Sequence, residues 1–130
     1  MYWNGFKLDN LREMLFTDEE MIKCSVKKGD LLVCEGGDIG RAAIWNYDYS
    51  MCIQNHIHKL RPYIQINMEF YYNVFYVYKT SGFIGGKGIG IQGLSSNALD
   101  KLLLPLPPFK EQDRISEHLK TIFANIKDGA

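Results

Sequence analysis

A glycine-rich segment, residues 82–93, has a spacing that is often associated with nucleotide chemistry. Gly88, Gly90 and Gly93 match the G-x-G-x-x-G pattern of dinucleotide-binding turns, in which glycines let the backbone approach a pyrophosphate. Such a turn follows a hydrophobic parallel strand, and an acidic residue ends the next strand about 20 residues later. The apolar residues before these glycines are too few for that strand. The pattern is therefore a weak indication of nucleotide binding.

The same segment also lacks the residues of a Walker A phosphate loop. Lys87 is followed by Gly88, where that motif has a Ser or Thr hydroxyl to bind magnesium. We interpret the segment as a loop whose glycines permit positive φ and a close approach to something large. Its cation Lys87 and its polar residue Gln92 favour a polyanion as that partner.

A second candidate site lies on a predicted strand, residues 52–60. Side chains alternate along a strand. One face therefore carries Cys52, Gln54, His56 and His58. A closed zinc site needs four ligands at characteristic spacings, and only the two histidines have such a spacing. The alternative is a polar sheet face that is solvated or lies against a nucleic-acid groove.

The third candidate is the sequence Leu106-Pro107-Pro108-Phe109, which is similar to the Asn-Pro-Pro-Tyr/Phe motif of amino-methyltransferases. That chemistry needs a side-chain oxygen to accept a hydrogen bond from the target amine, and leucine has none. No Ser-His-Asp order and no acidic cluster for magnesium stands out elsewhere. We therefore expect no catalysis within this chain.

Composition limits the kind of partner. Fifteen basic and fifteen acidic residues give a formal net charge of zero. No overall positive field attracts nucleic acid or an anionic membrane, so DNA contacts need a local basic patch. Three cysteines, Cys24, Cys34 and Cys52, are an odd number without CxxC spacing, which is typical of a reduced, cytoplasmic protein. The apolar runs are far shorter than the roughly 20 residues of a membrane-spanning helix.

The elements that must position these residues can be predicted from patterns. Residues 31–34 and 41–45 are apolar strands joined by a glycine turn at 36–40, which predicts a β-hairpin. Residues 67–79 predict a helix that is packed by aromatic residues. Its apolar stripe is Phe70, Val74 and Val77.

The C-terminal third predicts two further helices. Ser95 or Ser96 caps a short helix, because a serine oxygen accepts hydrogen bonds from the first turn. Residues 103–106 predict a short strand, and residues 109–126 a last helix that begins after two prolines. Along that helix an apolar seam repeats at four, three and four residues, which indicates a partner helix. The seam is Ile115, Leu119, Ile122 and Ile126.

Four motifs along the chain together resemble a target recognition domain from the DNA-specificity (S) subunit of type I restriction-modification systems. The resemblance covers roughly Lys23 to Ile126, and its most specific part is the "helix, LPLPP, EQ-x-x-I" junction near the end. The four motifs are VKKGDLLV at 26–33, GDIGRAAI at 37–44, QNHIHKLRP at 54–62, and GLS through LPLPPFKEQDRI at 93–115.

The resemblance implies a protein that performs no chemistry itself and holds no cofactor. S subunits carry two recognition domains, each reading one half of a split target in double-stranded DNA. Their helices set the spacing and hold modification (M) subunits, which methylate adenine with S-adenosylmethionine. Restriction (R) subunits add ATP- and Mg-dependent translocation and cleavage. The implied partners are DNA, M and R subunits, and a second recognition domain or a second copy of this chain through the last helix.

The expected fold class is α/β (α+β). It comprises a twisted, mostly antiparallel sheet with small flanking helices and a protruding C-terminal helix of coiled-coil type. We place the recognition domain at 1–107 and the spacer or dimerisation helix at 108–130. Family members have a longer β-rich section before the Lys-Gly-Asp turn, so the domain is expected to be shortened at its N-terminus, as a truncated chain or a half-subunit.

The candidate DNA-binding residues are chosen for their chemistry, since the resemblance does not assign them. Gln and Asn can bridge adenine N6 and N7, whereas Arg and Lys reach guanine O6 and N7 or the phosphates. Asn55 and His56 have the alternative role of holding loops together. The full set is Lys27, Lys28, Gly37, Arg41, Gln54, Asn55, His56, His58, Lys59, Lys87 and Gln92.

Two other functions stay open from the residues alone. One is a helix-mediated interaction module or decoy that binds the M subunit without reading DNA. The other is a metal- or nucleotide-dependent enzyme, which bound zinc or stabilisation by ATP would indicate.

Overall fold

The computed structural model of the protein describes residues 25–53, 56–86 and 90–128. The strands are β1 (Ser25–Val26), β2 (Leu31–Cys34), β3 (Ala42–Ile44), β4 (Met51–Cys52) and β5 (Ile57–Leu60). The helices are α1 (Met68–Thr80), α2 (Ser96–Lys101) and α3 (Phe109–Asp128).

A three-stranded antiparallel sheet with the order β3-β2-β5 forms the centre of the fold. Leu31 pairs with Ile44 on one side and with Leu60 on the other, so β2 is hydrogen-bonded along both edges. Three consecutive residues of β2 are buried, as expected for a strand covered on both faces. The predicted hairpin between β2 and β3 is confirmed.

The prediction of one strand over residues 52–60 is wrong. Cys52 lies in β4, which pairs with Ser25 of β1 in a separate two-stranded sheet. The chain then crosses to the central sheet, where Ile57 begins β5 beside Cys34. This crossing places Val26, Leu32 and Trp45 in a small second core of their own. The single alternating face proposed for the possible zinc ligands therefore does not exist as one strand.

Helix α1 covers one face of the central sheet. Asn67 caps it by accepting a hydrogen bond from the Phe70 N–H, as a polar N-cap residue should. Phe70, Tyr71 and Phe75 are its buried residues. The predicted stripe is wrong at Val77, which is 57% exposed, because the larger aromatic side chains turn a different face toward the sheet.

The predicted strand at residues 103–106 is also absent, and this stretch is irregular. Two tyrosines of α1 hold it in place. The Tyr71 hydroxyl donates to the Pro105 carbonyl at 2.8 Å, and the Tyr78 hydroxyl donates to the Leu103 carbonyl at 2.8 Å. Pro105 has no N–H to offer a neighbouring strand, so side-chain hydrogen bonds replace the ladder.

The last helix is anchored by its first two turns. The side chains of Gln112 and Ser116 are buried, and Gln112 Oε1 accepts from the Asn67 N–H at 2.8 Å. Asn67 also donates to Asp113 at 2.7 Å and accepts from the Ser116 hydroxyl at 3.2 Å. From residue 120 to 126 every side chain is exposed. The expected α+β fold with its C-terminal helix is confirmed.

A buried carboxylate closes one end of the central sheet. Asp30 is 3% exposed and accepts hydrogen bonds from the Lys27 N–H at 2.7 Å and from Arg61 Nε and Nη2 at 2.8 and 2.7 Å. Burial raises the pKa of this carboxyl. The hydrogen bonds and the Arg61 charge outweigh that effect and hold the pKa below its ordinary value of 3.8. The stabilisation is therefore present above the unfolded-state pKa and is lost as the pH falls through the lower, folded-state pKa.

Replacing Asp30 by alanine is expected to lower the free energy of unfolding by about 2 kcal/mol, because the Lys27 N–H loses its acceptor and Arg61 loses its buried partner. Urea unfolding at neutral pH measures this change. The matched control is Asp48→Ala, which removes the 3.1 Å ion pair with Lys28 at a side chain that is 91% exposed. That variant should change stability by less than about 0.5 kcal/mol. Equal effects of the two substitutions would contradict the role given to Asp30.

Candidate nucleic-acid interface

The β2–β3 loop, residues 35–41, projects from one end of the central sheet. Its base is closed by the Gly40 N–H, which donates to the Cys34 carbonyl at 2.9 Å. A Cβ on Gly40 would lie 2.7 Å from Cγ2 of the buried Ile84, so the loop rests directly on the glycine-rich segment. Gly37 and Asp38 are exposed at the tip, where a large ligand can reach them.

One carboxylate in this loop binds two cations. Asp38 Oδ2 accepts from Arg41 Nε at 3.0 Å and Nη2 at 2.6 Å, and Oδ1 lies 2.8 Å from Lys79 Nζ. The hydrogen bond from Lys79 is the main cause that holds the pKa of Asp38 below its usual value. Lys79 was missed by sequence reasoning. The sequence feature that could have identified Lys79 is its position in the last turn of α1, directly before the glycine-rich segment.

The glycine-rich segment packs against itself. Residues Ile84 and Ile91 form a β-bridge, and the Ile91 N–H donates to the Phe83 carbonyl at 2.8 Å. A Cβ on Gly86 would meet the Gly82 carbonyl oxygen and lie 2.6 Å from Gly82 Cα. The described glycines therefore allow one part of the segment to approach another. Gln92 is exposed beside this bridge.

The two histidines have different surroundings. His58 is largely buried, and its Nε2 lies 2.6 Å from the Leu94 carbonyl and 3.6 Å from Glu35. It therefore links β5 to the end of the glycine-rich segment. His56 is exposed, and its carbonyl accepts from the Glu35 and Gly36 N–H groups at the base of the β2–β3 loop. The His56 backbone thus holds the base of the loop, and its side chain is exposed to solvent.

The candidate residues fall into two groups at opposite ends of β2. We call the first the loop end: residues 35–41, His56 and His58, Lys79, and residues 82–86 and 90–94. We call the second the turn end: residues 27–30 with Lys59 and Arg61. Four strand residues separate the ends by roughly 13 Å. Gln54, Asn55 and Lys87 lie outside the described residues.

Cations of the turn end already have partners in the chain. Lys28 pairs with Asp48 at 3.1 Å, Lys59 Nζ donates to the Ser25 carbonyl at 2.8 Å, and Arg61 binds Asp30. Lys27 is exposed. Lys59 and Arg61 therefore have structural roles, whichever other contacts they make.

Comparison with known proteins identifies the family. The model of the type I restriction modification DNA specificity domain matches residues 17–129, most of the chain. The chain belongs to this family. No curated protein matches it.

Two solved structures share the fold of this specificity domain. The crystal structure of the HsdS subunit from Thermoanaerobacter tengcongensis has a TM-score of 0.66 and 20% identity, covering 80% of this chain and 24% of that chain. A structure described as the basis of complex assembly and conformational transition of the type I R-M system has a TM-score of 0.64 and 22% identity, covering 81% and 25%. The specificity domain thus spans about a quarter of the solved chains it matches.

Within residues 25–53, 56–86 and 90–128, the specificity domain has no group of three His, Cys, Asp or Glu side chains that could hold a metal ion. Cys34 and Cys52 are free thiols, and burial raises the pKa of the Cys34 thiol. A raised pKa leaves less of the thiolate that binds metals. No helix in the described part of the chain is long and apolar enough to cross a bilayer.

The close approach inside the glycine-rich segment can be tested with two glycines. Gly86→Ala should lower the free energy of unfolding by about 1–3 kcal/mol, because its Cβ meets backbone atoms of Gly82 that cannot move aside cheaply. Gly93→Ala is the control, since no atom lies within 4 Å of its added Cβ. It should change stability by no more than about 0.5 kcal/mol in thermal or urea unfolding. If the glycines were needed only to bind an external ligand, both substitutions would leave the free energy of unfolding unchanged.

Proposed function

We propose that the chain is a sequence-specific DNA recognition component, or a piece of one, in a type I restriction-modification complex. It reads one half of a bipartite target, docks modification subunits and performs no chemistry itself. S-adenosylmethionine, ATP and magnesium belong to the partner subunits, and the complex works in the cytoplasm. Beyond family membership, the observation that carries the proposal is the loop end. There an exposed loop tip, an exposed histidine and two cations meet beside a loop that carries Lys87.

The loop end has the two kinds of group that DNA binding needs. Arg41 and Lys87 supply charge for phosphate contacts, which give affinity and register without reading sequence. His56 and Gln92 present polar side chains that can donate to or accept from base edges in the major groove. Glycines at the loop tip let the backbone come close to the duplex. Gln54 and Asn55 directly precede His56 in the sequence, and we assign them to the same proposed surface.

The salt dependence of binding tests the phosphate contacts. The double variant Arg41→Ala/Lys87→Ala should bind random-sequence duplex more weakly. The slope of log K against log salt should become shallower by about 0.9 for each phosphate that the variant no longer binds. Lys101→Ala/Lys110→Ala is the control, because it removes the same charge at two exposed positions outside both ends of the sheet. If the two double variants have the same affinity and slope, Arg41 and Lys87 do not contact DNA.

The C-terminal helix supplies the proposed docking surface. Its predicted seam has two parts: Ile115 packs against the main core, whereas Ile122 and Ile126 are 38% and 62% exposed. Between α1 and α3 lies a groove of about 390 Å³. Leu119 and Phe123 line it from α3, and Tyr72 and Tyr76 line it from α1. The exposed end of the seam is the part that we propose packs on a partner helix, from a second recognition domain, a second copy or the M subunit.

Charged substitutions in the exposed seam test this surface. Ile122→Asp/Ile126→Asp should weaken association with a partner helix at least about tenfold, because each buried isoleucine contributes roughly 1.5–3 kcal/mol. Ala124→Asp is the control, since its exposed side chain lies on the opposite face of the helix. Light scattering of the chain, alone and with M subunits, measures the assembly. Unchanged assembly of the double variant would place the partner elsewhere.

A second function is favoured by the ion pairs. Because Lys28, Arg41, Lys79 and Arg61 all pair with carboxylates in the chain, much of the positive charge of the domain is already offset, as suits a module that does not bind DNA. An interaction module or decoy would bind the M subunit through α3 and leave DNA alone. Gel shifts on random-sequence duplex, with and without M subunit, distinguish the two functions. A decoy gives no shift of its own and lowers the shift of an intact complex.

A further inference from the structure

Both oxygens of Asp38 are occupied by cations of the proposed DNA surface. Arg41 binds Oδ2 at 2.6 Å, and Lys79 binds Oδ1 at 2.8 Å. Arg41 comes from the same loop, whereas Lys79 comes from the last turn of α1. The Asp38 carboxylate thus links the β2–β3 loop to the end of α1, and the cations of both elements lie beside it.

The Lys79 ammonium group is partly buried, so a neighbouring anion stabilises it. Its side chain is 20% exposed, and a Cβ on Gly85 would lie 3.3 Å from its Nζ, so the glycine-rich segment covers it closely. A partly buried ammonium group is costly without an opposite charge. Asp38, with 41% of its side chain exposed, supplies that charge and remains accessible from outside. A DNA phosphate oxygen is the same kind of acceptor for both cations.

We propose that Asp38 sets the DNA affinity of this surface, as an internal counter-charge that competes with DNA phosphates for Arg41 and Lys79. The inference rests on the proposed DNA-reading function and adds a regulator of its affinity. In the absence of DNA the carboxylate pairs with both cations and offsets one of their two positive charges. A duplex gains their full attraction only when its phosphates displace Asp38.

The competition lowers affinity for all sequences alike. An exposed ion pair changes an equilibrium constant by up to about fivefold, and this factor applies to any duplex. A good bidentate contact to a base edge is worth about five- to 150-fold, which only the correct target obtains. Asp38 therefore suppresses non-specific binding while target binding keeps its margin.

The substitution Asp38→Asn removes the charge and keeps the size of the side chain. In the full 130-residue chain it should tighten binding to a random-sequence duplex pool about two- to fivefold at low salt. The slope of log K against log salt should become steeper by about 0.9 for each additional phosphate that the variant binds. Fluorescence anisotropy between about 50 and 200 mM salt measures both quantities.

Three further variants make the test specific. Asp100→Asn changes the net charge equally at an exposed position on α2 and should leave the slope unchanged. Asp38→Glu keeps the charge and should bind like the wild type. Asp38→Ser removes the charge with a different side chain, and it replaces Asp38→Asn if thermal unfolding shows that the latter does not fold.

The outcomes separate this inference from the function on which it rests. If the wild type binds duplex and neutral variants at 38 bind no better, the inference is overturned and the DNA-reading function stands. Weaker binding by the neutral variants also overturns it, because Asp38 would then only hold the loop. If neither wild type nor variant binds, both fail. If only the neutral variants bind, the counter-charge is supported.

Discussion

The buried carboxylate of Asp30 is the interaction on which the arrangement of the central sheet depends. It accepts hydrogen bonds from the Lys27 N–H and from Arg61, and so ties the turn before β2 to the residue after β5. On the other side, the Trp45 N–H after β3 donates to the Asp30 carbonyl at 2.9 Å. Because β2 lies between β3 and β5, these contacts at Asp30 help to set the register of all three strands. That register in turn determines which residues lie together at the loop end of β2.

The loop end carries positive charge that is partly offset before any ligand arrives. Asp38 pairs with both Arg41 and Lys79, and close approaches at Gly40 and Gly86 that only glycine permits hold the neighbouring segments together. A neutral chain can thus carry a polyanion-binding surface without a strong general attraction to nucleic acid. In the proposed mode of DNA binding, affinity and selectivity are separate properties of different groups, with the cations contacting phosphates and His56 and Gln92 contacting bases.

The first turns of the C-terminal helix pack against the domain, whereas its later turns are exposed. Asn67 caps α1 and also bonds to Gln112, Asp113 and Ser116, so one residue orients both helices. The Glu69–Lys120 ion pair at 3.2 Å continues this contact by one turn. Farther along, the α3 side chains of Ile122, Phe123 and Ile126 are 38%, 49% and 62% exposed within the described chain, and the solved chains with this fold are about three times as long as this one. The boundary expected at residue 107 remains a prediction, and the anchor of α3 on α1 lies just beyond it.

The sequence by itself determined the elements whose signals are local. Sequence patterns predicted the β2–β3 hairpin, the α1 helix, the serine cap at Ser95 and the helix after Pro108. Turns, caps and apolar periods depend on neighbouring residues, so a short stretch of sequence is enough to predict them. The family was predicted from the order of its motifs. Only the tertiary structure decided the matters that depend on distant pairing: the split of residues 52–60 between two sheets, the irregular stretch at 103–106, and the meeting of Lys79 with Asp38. The physical reason is that a strand's partner, or the cation that a carboxylate finds, is set by which surfaces pack together, and no spacing along the chain encodes that.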